Sequence, residues 1–294
     1  MGKNSIALGT FDGFHIGHMA VIEKARKSDY PLLVLMFNEH PLKLIQGHAP
    51  AKLLTDAVFK RICEQLRLNC CFIDFSEIVN MPHEQFFYDI LIKDLDAGEI
   101  TCGENYTFGK GGAGNCETLK QLCQKSGIKL NIVETVKYKN ETVSSTRIRR
   151  LIENGEMEDV AAMLSRPFSY SFKVVEGKHL GRELNFPTAN QIIPKGFVQM
   201  KHGVYASAVK FGEKLYPAVT NFGHCPTVNG SNLRSETYIH GFSGNLYGKE
   251  TEIMILKYLR EEKKFGSTEE LSQAINEDCK KSVGIFYNLL EKLS

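Results

Sequence analysis

The sequence predicts two unlike domains: a doubly wound α/β domain, then an antiparallel β-barrel with a C-terminal helix. Three features carry that prediction. Short apolar runs alternate with amphipathic stretches through the first half. After Ser165-Arg166-Pro167 the pattern becomes a series of short strand candidates separated by turn residues. A single helical stretch, Thr268 to Leu293, then closes the chain.

Ser5-Ile6-Ala7-Leu8 reads as a first strand ended by Gly9, and Ile16 to Lys27 as the helix after it. Leu32 to Phe37 is unbroken and apolar between Pro31 and Asn38, which suits a strand buried on both faces. Leu54 to Leu66 has helical spacing, with Thr55 placed to cap it. Cys71 to Phe75 is a third strand and Pro82 to Leu95 a further helix. Ile100 to Gly103, Glu117 to Lys125 and Leu130 to Glu134 give strand, helix and strand. Alternation of this kind implies parallel strands, with ligands held beyond their carboxyl ends.

Arg149 to Glu153 and Met157 to Leu164 read as two short helices broken at Asn154-Gly155. Beyond Pro167 the strand candidates are 169–175, 203–209, 215–219, 235–239 and 252–256, with no long helix between them. That spacing predicts the barrel. The domains expected are therefore 1–167 and 168–294.

Composition narrows the function. Lys plus Arg number 36 against 34 for Asp plus Glu, so no general attraction to nucleic acid or to a charged membrane surface is implied. The start lacks a signal peptide's apolar run, and no later stretch approaches a membrane span. The eight cysteines form no C-x-x-C pair and read as reduced, so a cytoplasmic location is expected. Oligomeric state is not legible.

The chemistry is expected where the first strand ends, in Leu8-Gly9-Thr10-Phe11-Asp12-Gly13-Phe14-His15-Ile16-Gly17-His18. Gly9 and Gly13 allow close backbone approach, and Gly17 keeps bulk from between the two imidazoles. A helix N-terminus beside them offers unpaired N–H groups and a positive dipole end, both attractive to phosphate. His15 and His18 can donate to phosphoryl oxygens as charge accumulates. Taken alone, the two histidines could also be structural. A transition-metal site lacks a third ligand nearby, and neither a G-x-x-x-x-G-K-[ST] loop nor a G-x-G-x-x-G turn is present.

This stretch resembles the signature of the HxGH nucleotidyltransferase superfamily, in its FMN adenylyltransferase branch. Ser144-Ser145-Thr146-Arg147-Ile148-Arg149 is similar to that branch's S-S-T-x-I-R. The resemblance implies a Rossmann-like domain in which Gly9, Thr10, Phe11, Asp12, Gly17, Ser144, Ser145 and Thr146 bind ATP, with His15, His18 and Arg149 catalytic. Phe37-Asn38-Glu39-His40-Pro41 resembles F-D-P-H-P, departing at Asn38 and Glu39. Gly103 to Lys110 resembles G-x-D-F-x-F-G-K, with Asn105 in place of Asp. Asn105, Tyr106 and Phe108 are candidate flavin contacts. Gly109 to Gly114 is either a mobile loop or a flap near nucleotide.

In the second half, Gly177 to Asn190 is similar to the riboflavin kinase pattern G-x-x-x-G-R-x-L-G-F-P-T-A-N, with Asn185 in place of Gly. The resemblance implies Gly177, Gly181, Arg182, Thr188 and Asn190 at ATP phosphates, Thr188 and Asn190 also holding Mg²⁺; Phe186, as an aromatic, is a candidate flavin contact or a core residue. Asn221 to Thr227 resembles N-x-G-x-R-P-T, with Cys225 replacing Arg, and Glu236 falls at the general base. Nearly the whole chain follows the order of bacterial bifunctional riboflavin kinase/FMN adenylyltransferases, also called FAD synthetases. The implied substrates and products are ATP, riboflavin, FMN, FAD and pyrophosphate. A monofunctional FMN adenylyltransferase with an inactive kinase domain, or a non-enzymatic flavin-binding regulator, are the alternatives.

Overall fold

The computed structural model describes residues 2–177, 186–212, 214–227 and 230–293. By contacts the chain divides into two units, Met1–Ala51 with Lys60–Ser145, and Lys52–Phe59 with Thr146–Ser294. The boundary read near Pro167 falls inside the second unit, which also takes in a short segment from the first half of the chain.

The first unit is built on a five-stranded sheet in the order β3-β2-β1-β4-β5. Its strands are β1 (Asn4–Leu8), β2 (Leu32–Phe37), β3 (Cys70–Ile73), β4 (Ala97–Gly103) and β5 (Lys129–Val133). All four pairings are parallel, as the alternation of strands and helices predicts. Ile6, Ala7 and Ile100 are fully buried, because helices cover both faces of the sheet. Strand order reverses at β1, so the end of β1 beside β4 is the switch point where a crevice forms.

Around this sheet lie α1 (Ile16–Arg26), α2 (Leu42–Gln46), α3 (Asp56–Gln65), α4 (Phe75–Ile78), α5 (His83–Gln85) and α6 (Cys116–Lys125). From Phe86 to Asp94 the chain continues α5 as a π-helix, where the sequence predicts an ordinary α-helix through Leu95. The wider turn puts Phe86, Phe87 and Leu91 into the core with Phe108 and Ile100. Thr55 directly precedes α3, and its carbonyl accepts the backbone N–H of Phe59 at 2.9 Å. Its hydroxyl accepts the backbone N–H of Ser171 at 3.2 Å, within the second unit.

The second unit holds α7 (Ser145–Asn154) from Thr146 onward, α8 (Met157–Leu164) and a closed barrel ordered β10-β11-β12-β9-β8-β13. Its strands are β8 (Phe168–Val175), β9 (Thr188–Ile192), β10 (Gly203–Phe211), β11 (Lys214–Thr227), β12 (Gly230–Ile239) and β13 (Glu250–Arg260). All six pairings are antiparallel, and closure leaves no open edge.

The barrel interior is partly polar. Ser207 Oγ, Thr220 Oγ1 and Thr237 Oγ1 form a buried hydroxyl ladder at 2.8 and 2.9 Å. Gln191, fully buried, donates through Nε2 to the carbonyls of Phe172 and Thr251. The helix Thr268–Leu293 lies against the outer face, where Phe286 packs with Ala206, Ala208 and Leu256. Ile275 and Cys279 pack there with Val204, Val219 and Tyr238.

Candidate active sites

The segment leaving β1 is held in an uncommon conformation. Phe11 and Phe14 have φ of 49° and 46°, a region that costs a bulky residue about 1–3 kcal/mol. Both rings are 1% exposed, and burying each contributes about 1.5–3 kcal/mol, which offsets that strain. The strained turn delivers His15 to the start of α1. There its Nδ1 accepts the backbone N–H of His18 at 3.2 Å and serves as the helix N-cap. An accepting Nδ1 leaves the proton of the neutral ring on Nε2, a donor.

The two imidazoles stack with centroids 3.6 Å apart and planes inclined by 18°. His18 also meets the edge of Phe11 at 5.5 Å. Burial, then the neighbouring His15, hold the His18 pKa well below its ordinary value, so its ring is neutral at pH 7. His18 Nδ1 is buried and has no hydrogen-bond partner among the described residues. Gly17 is needed for close approach: a Cβ there would lie 3.1 Å from His15 Cε1 and 3.2 Å from its Nδ1.

The far end of the first unit reaches the same turn. Ser145 Oγ donates to the carbonyl of Asp12 at 2.7 Å and ties the start of α7 to the turn after β1. Ser145 and Arg149 are four residues apart on α7, hence on one helix face. Thr146 opens the second contact unit.

The other candidates of this half are more built-in than the sequence suggests. Phe108 is 6% exposed and belongs to the core. Tyr106 stacks on it at 5.7 Å and 13°. Asn105 is exposed and donates to Thr135 Oγ1 at 3.2 Å, while hydrogen bonds from the Thr135 side chain, then from its backbone N–H, lower the Glu104 carboxyl pKa. Segment 109–114 is pinned rather than loose. Phe108 and Gly114 exchange backbone hydrogen bonds at 3.0 and 2.9 Å, and Lys110 N–H donates to Met81. Glu39, the departure from the expected proline, pairs with Lys43 at 2.7 Å.

The second candidate site is a cavity of about 320 Å³ on the barrel's outer face, beside the helix Thr268–Leu293. Strand register assembles its wall. Asn190, Glu236 and Asn221 are direct neighbours across β9, β12 and β11, so they form one row of side chains. Thr188, Tyr238 and Val219 form the next row on the same face. Phe186 meets Tyr238 edge-on at 5.1 Å.

Asn190 is buried, and its Nδ2 donates to the carbonyl and hydroxyl oxygens of Thr188 at 3.2 Å. Arg234 donates to Asn190 Oδ1 at 3.4 Å. Gly177 lies so close that a Cβ there would sit 2.6 Å from Asn190 Nδ2. Its absent side chain therefore makes room for this amide. Gly181, Arg182 and Asn185 lie outside the described residues, as does the side chain of Cys225.

Sequence reasoning missed the opposite wall. Arg260, at the end of β13, donates through Nε and Nη2 to Asp278 Oδ2 at 2.9 and 2.8 Å, and Asp278 is 2% exposed. Glu262, Lys263 and Phe265 complete the lining with Leu271 and Ile275. One signal was present. Leu271, Ile275, Asp278, Ser282 and Phe286 follow helical spacing, and a carboxylate on a mostly apolar stripe requires a partner.

Comparison with known proteins divides the chain into two matched regions. Residues 2–147 match a family model described as FAD synthetase, and residues 164–286 match one described as riboflavin kinase. A bifunctional riboflavin kinase/FMN adenylyltransferase of Escherichia coli (strain K12) is 32% identical over 287 residues, covering 93% of this chain and 90% of its own. Its counterpart in Bacillus subtilis (strain 168) is 30% identical over 298 residues, 98% of this chain and 94% of its own. A Streptococcus pneumoniae crystal structure, described as a macrolide-efflux protein, superposes with a TM-score of 0.86 at 28% identity, over 96% of this chain and 94% of that one. Among the described residues here, no helix is long and apolar enough to cross a membrane.

Proposed function

The chain belongs to the bifunctional riboflavin kinase/FMN adenylyltransferase family, and from that premise we propose which residues carry each reaction. The activities themselves follow from the family: ATP-dependent phosphorylation of riboflavin to FMN in the C-terminal domain, and adenylylation of FMN to FAD with release of pyrophosphate in the N-terminal domain. Neither the single-activity reading nor the non-enzymatic one is favoured by these relatives. A domain boundary near Pro167 belongs to the proposal, supported by matched ranges that end at 147 and begin at 164.

In the barrel, Glu236 accepts the proton of the riboflavin 5′-hydroxyl as its oxygen attacks the γ-phosphorus of ATP. The bond from that phosphorus to the β–γ bridging oxygen breaks, and ADP leaves. Thr188 and Asn190 present a hydroxyl and an amide, oxygen donors that suit a hard divalent cation, and they would hold Mg²⁺ with the ATP phosphates. When bound, Mg²⁺ neutralises phosphoryl charge. Gly177 lets Asn190 keep its place, and Phe186 with Tyr238 gives the flavin an aromatic surface.

In the first domain, an FMN phosphate oxygen attacks the α-phosphorus of a second ATP. The bond to the α–β bridging oxygen breaks, and pyrophosphate departs. His15, through Nε2–H, and neutral His18 donate to the phosphoryl oxygens. Gly9, Thr10, Phe11, Asp12 and Gly17 form the phosphate turn. Ser144, Ser145 and Thr146 donate at the start of α7, with Arg149 as fixed positive charge. Asn105 and Tyr106 border the flavin, with Phe108 as their buried support. No covalent protein intermediate is needed. The proposed location is the cytoplasm, supported by the free thiols of Cys63, Cys70, Cys102 and Cys116.

The row Asn190–Glu236–Asn221, set in a cavity also lined by Thr188, carries the kinase assignment. Glu236→Gln, assayed with riboflavin and Mg·ATP and with products resolved by chromatography, is expected to stop FMN formation while FMN is still converted to FAD. Undiminished FMN formation would remove Glu236 from the reaction.

A further inference from the structure

The barrel cavity has a second carboxylate that the kinase step does not use. Glu262 lines it, on the segment between β13 and the helix Thr268–Leu293. Two features hold this carboxylate against the substrate wall. Its Oε1 accepts from Asn221 Nδ2 at 2.9 Å, and it rests on Gly223, where a Cβ would come within 2.9 Å of Glu262 Cδ and Oε2.

The contact also fixes the Asn221 amide. A carboxylate can only accept, so the NH₂ group must face Glu262 and the carbonyl must face away. That carbonyl oxygen, Asn221 Oδ1, is buried and has no partner among the described residues. A buried acceptor without a donor is costly in the empty protein and is satisfied when a ligand brings one. Asn221 stands directly across from Glu236 in the strand register. Cross-strand neighbours have Cβ atoms about 4.5–5.5 Å apart, so Glu262 lies one side chain beyond the reacting hydroxyl's base.

We propose that Glu262 and Asn221 determine specificity for the flavin's polyol chain, accepting hydrogen bonds from its secondary hydroxyls. This rests on the assignment of the cavity as the riboflavin kinase site. The chemistry selects hydroxyls over the other donor on the substrate, the ring N3–H. Secondary hydroxyls sit one to three carbons from the 5′-hydroxyl at Glu236, whereas N3–H lies at the far end of the ring system. The two acceptors, Glu262 and Asn221 Oδ1, suit a chain of hydroxyl groups, each of which can donate. Glu262 and Asn221 are specificity determinants here, and the proton transfer stays with Glu236.

The test uses the full chain and two probes, riboflavin and lumiflavin, which keeps the ring and N3–H but lacks the polyol chain. Binding is read from flavin fluorescence, and turnover from FMN formation. Glu262→Ala is expected to weaken riboflavin about 10- to 100-fold, the range of one hydrogen bond to a charged group, and to leave lumiflavin unchanged. The KM for riboflavin rises while that for ATP stays. Glu262→Gln can still accept from Asn221 and recovers part of the loss, and FMN-to-FAD conversion in the same preparation is unaffected.

Equal weakening of both probes would mean that Glu262 only shapes the ring pocket or supports the fold, and would overturn the proposal. So would unchanged riboflavin binding, provided Glu236→Gln still abolishes turnover. If Glu236→Gln leaves turnover intact, the cavity assignment itself fails.

Discussion

Gly177→Ala tests how the barrel holds the Asn190 amide, proposed above for the ATP phosphates. The added Cβ would lie 2.6 Å from Asn190 Nδ2 and 2.8 Å from its Cγ, about 0.8 Å short of the 3.4 Å where ordinary contact begins. The alanine backbone itself is unstrained, since Gly177 is not among the positive-φ glycines. Asn190 must therefore give way. Its side chain is 4% exposed, bonded to Thr188 and in reach of Arg234, so it cannot turn without breaking those contacts. A misplacement near 1 Å costs about 100-fold when geometry controls phosphoryl transfer. The expected loss in kcat/KM for Mg·ATP is thus about 10- to 100-fold, or roughly 1.4–2.7 kcal/mol. FMN formation at varied ATP measures it, with FAD formation from added FMN as the internal standard. The effect should also disappear on an Asn190→Ala background, because the colliding amide is then gone. Wild-type kcat/KM in Gly177→Ala, or full additivity with Asn190→Ala, would refute this account.

Three other outcomes are expected. His18→Ala should lower FAD formation about 100- to 1,000-fold, the usual cost of one well-placed donor, with FMN formation retained in the same assay. His18 should also make stability fall in acid. Its folded pKa lies below the unfolded value of 6.5, so its contribution is complete above pH 6.5 and is lost as pH falls towards the folded pKa. The slope is at most about 1.4 kcal/mol per pH unit, and urea melts of wild type and His18→Ala between pH 7.5 and about pH 5 should converge as this loss is removed. Asp278→Ala leaves Arg260 unpaired at a half-buried site and should destabilise the barrel by about 3–5 kcal/mol in thermal melts, with Asp278→Asn milder.

The architecture was legible because the parallel sheet announces itself in apolar runs such as Leu32–Phe37, which only a strand covered on both faces requires. β9 was not read as a strand, because Thr188-Ala189-Asn190-Gln191-Ile192 is mostly polar. Gln191 faces inward and satisfies its amide on two carbonyls, while Thr188 and Asn190 face the cavity. The π-helix was hidden for a different reason: an extra residue in a turn leaves an apolar pattern that still looks α-helical across Pro82–Leu95.

At the sites, short motifs singled out the residues proposed for the phosphates, such as His15 and Asn190. They could not reveal that His15 caps its own helix, or that two phenylalanines with positive φ hold the turn. The wall formed by Arg260, Glu262 and Asp278 comes from a charged segment and a distant helix. Only the closure of the barrel brings them to Asn221.

The central claim is that two separate sites act in sequence, with FMN made at one and consumed at the other. Mixing two singly disabled proteins tests it most directly. Neither His18→Ala nor Glu236→Gln alone should turn riboflavin into FAD at an appreciable rate. An equimolar mixture should do so after a lag in which FMN accumulates. A mixture that makes no FAD, with both variants folded, would contradict the account.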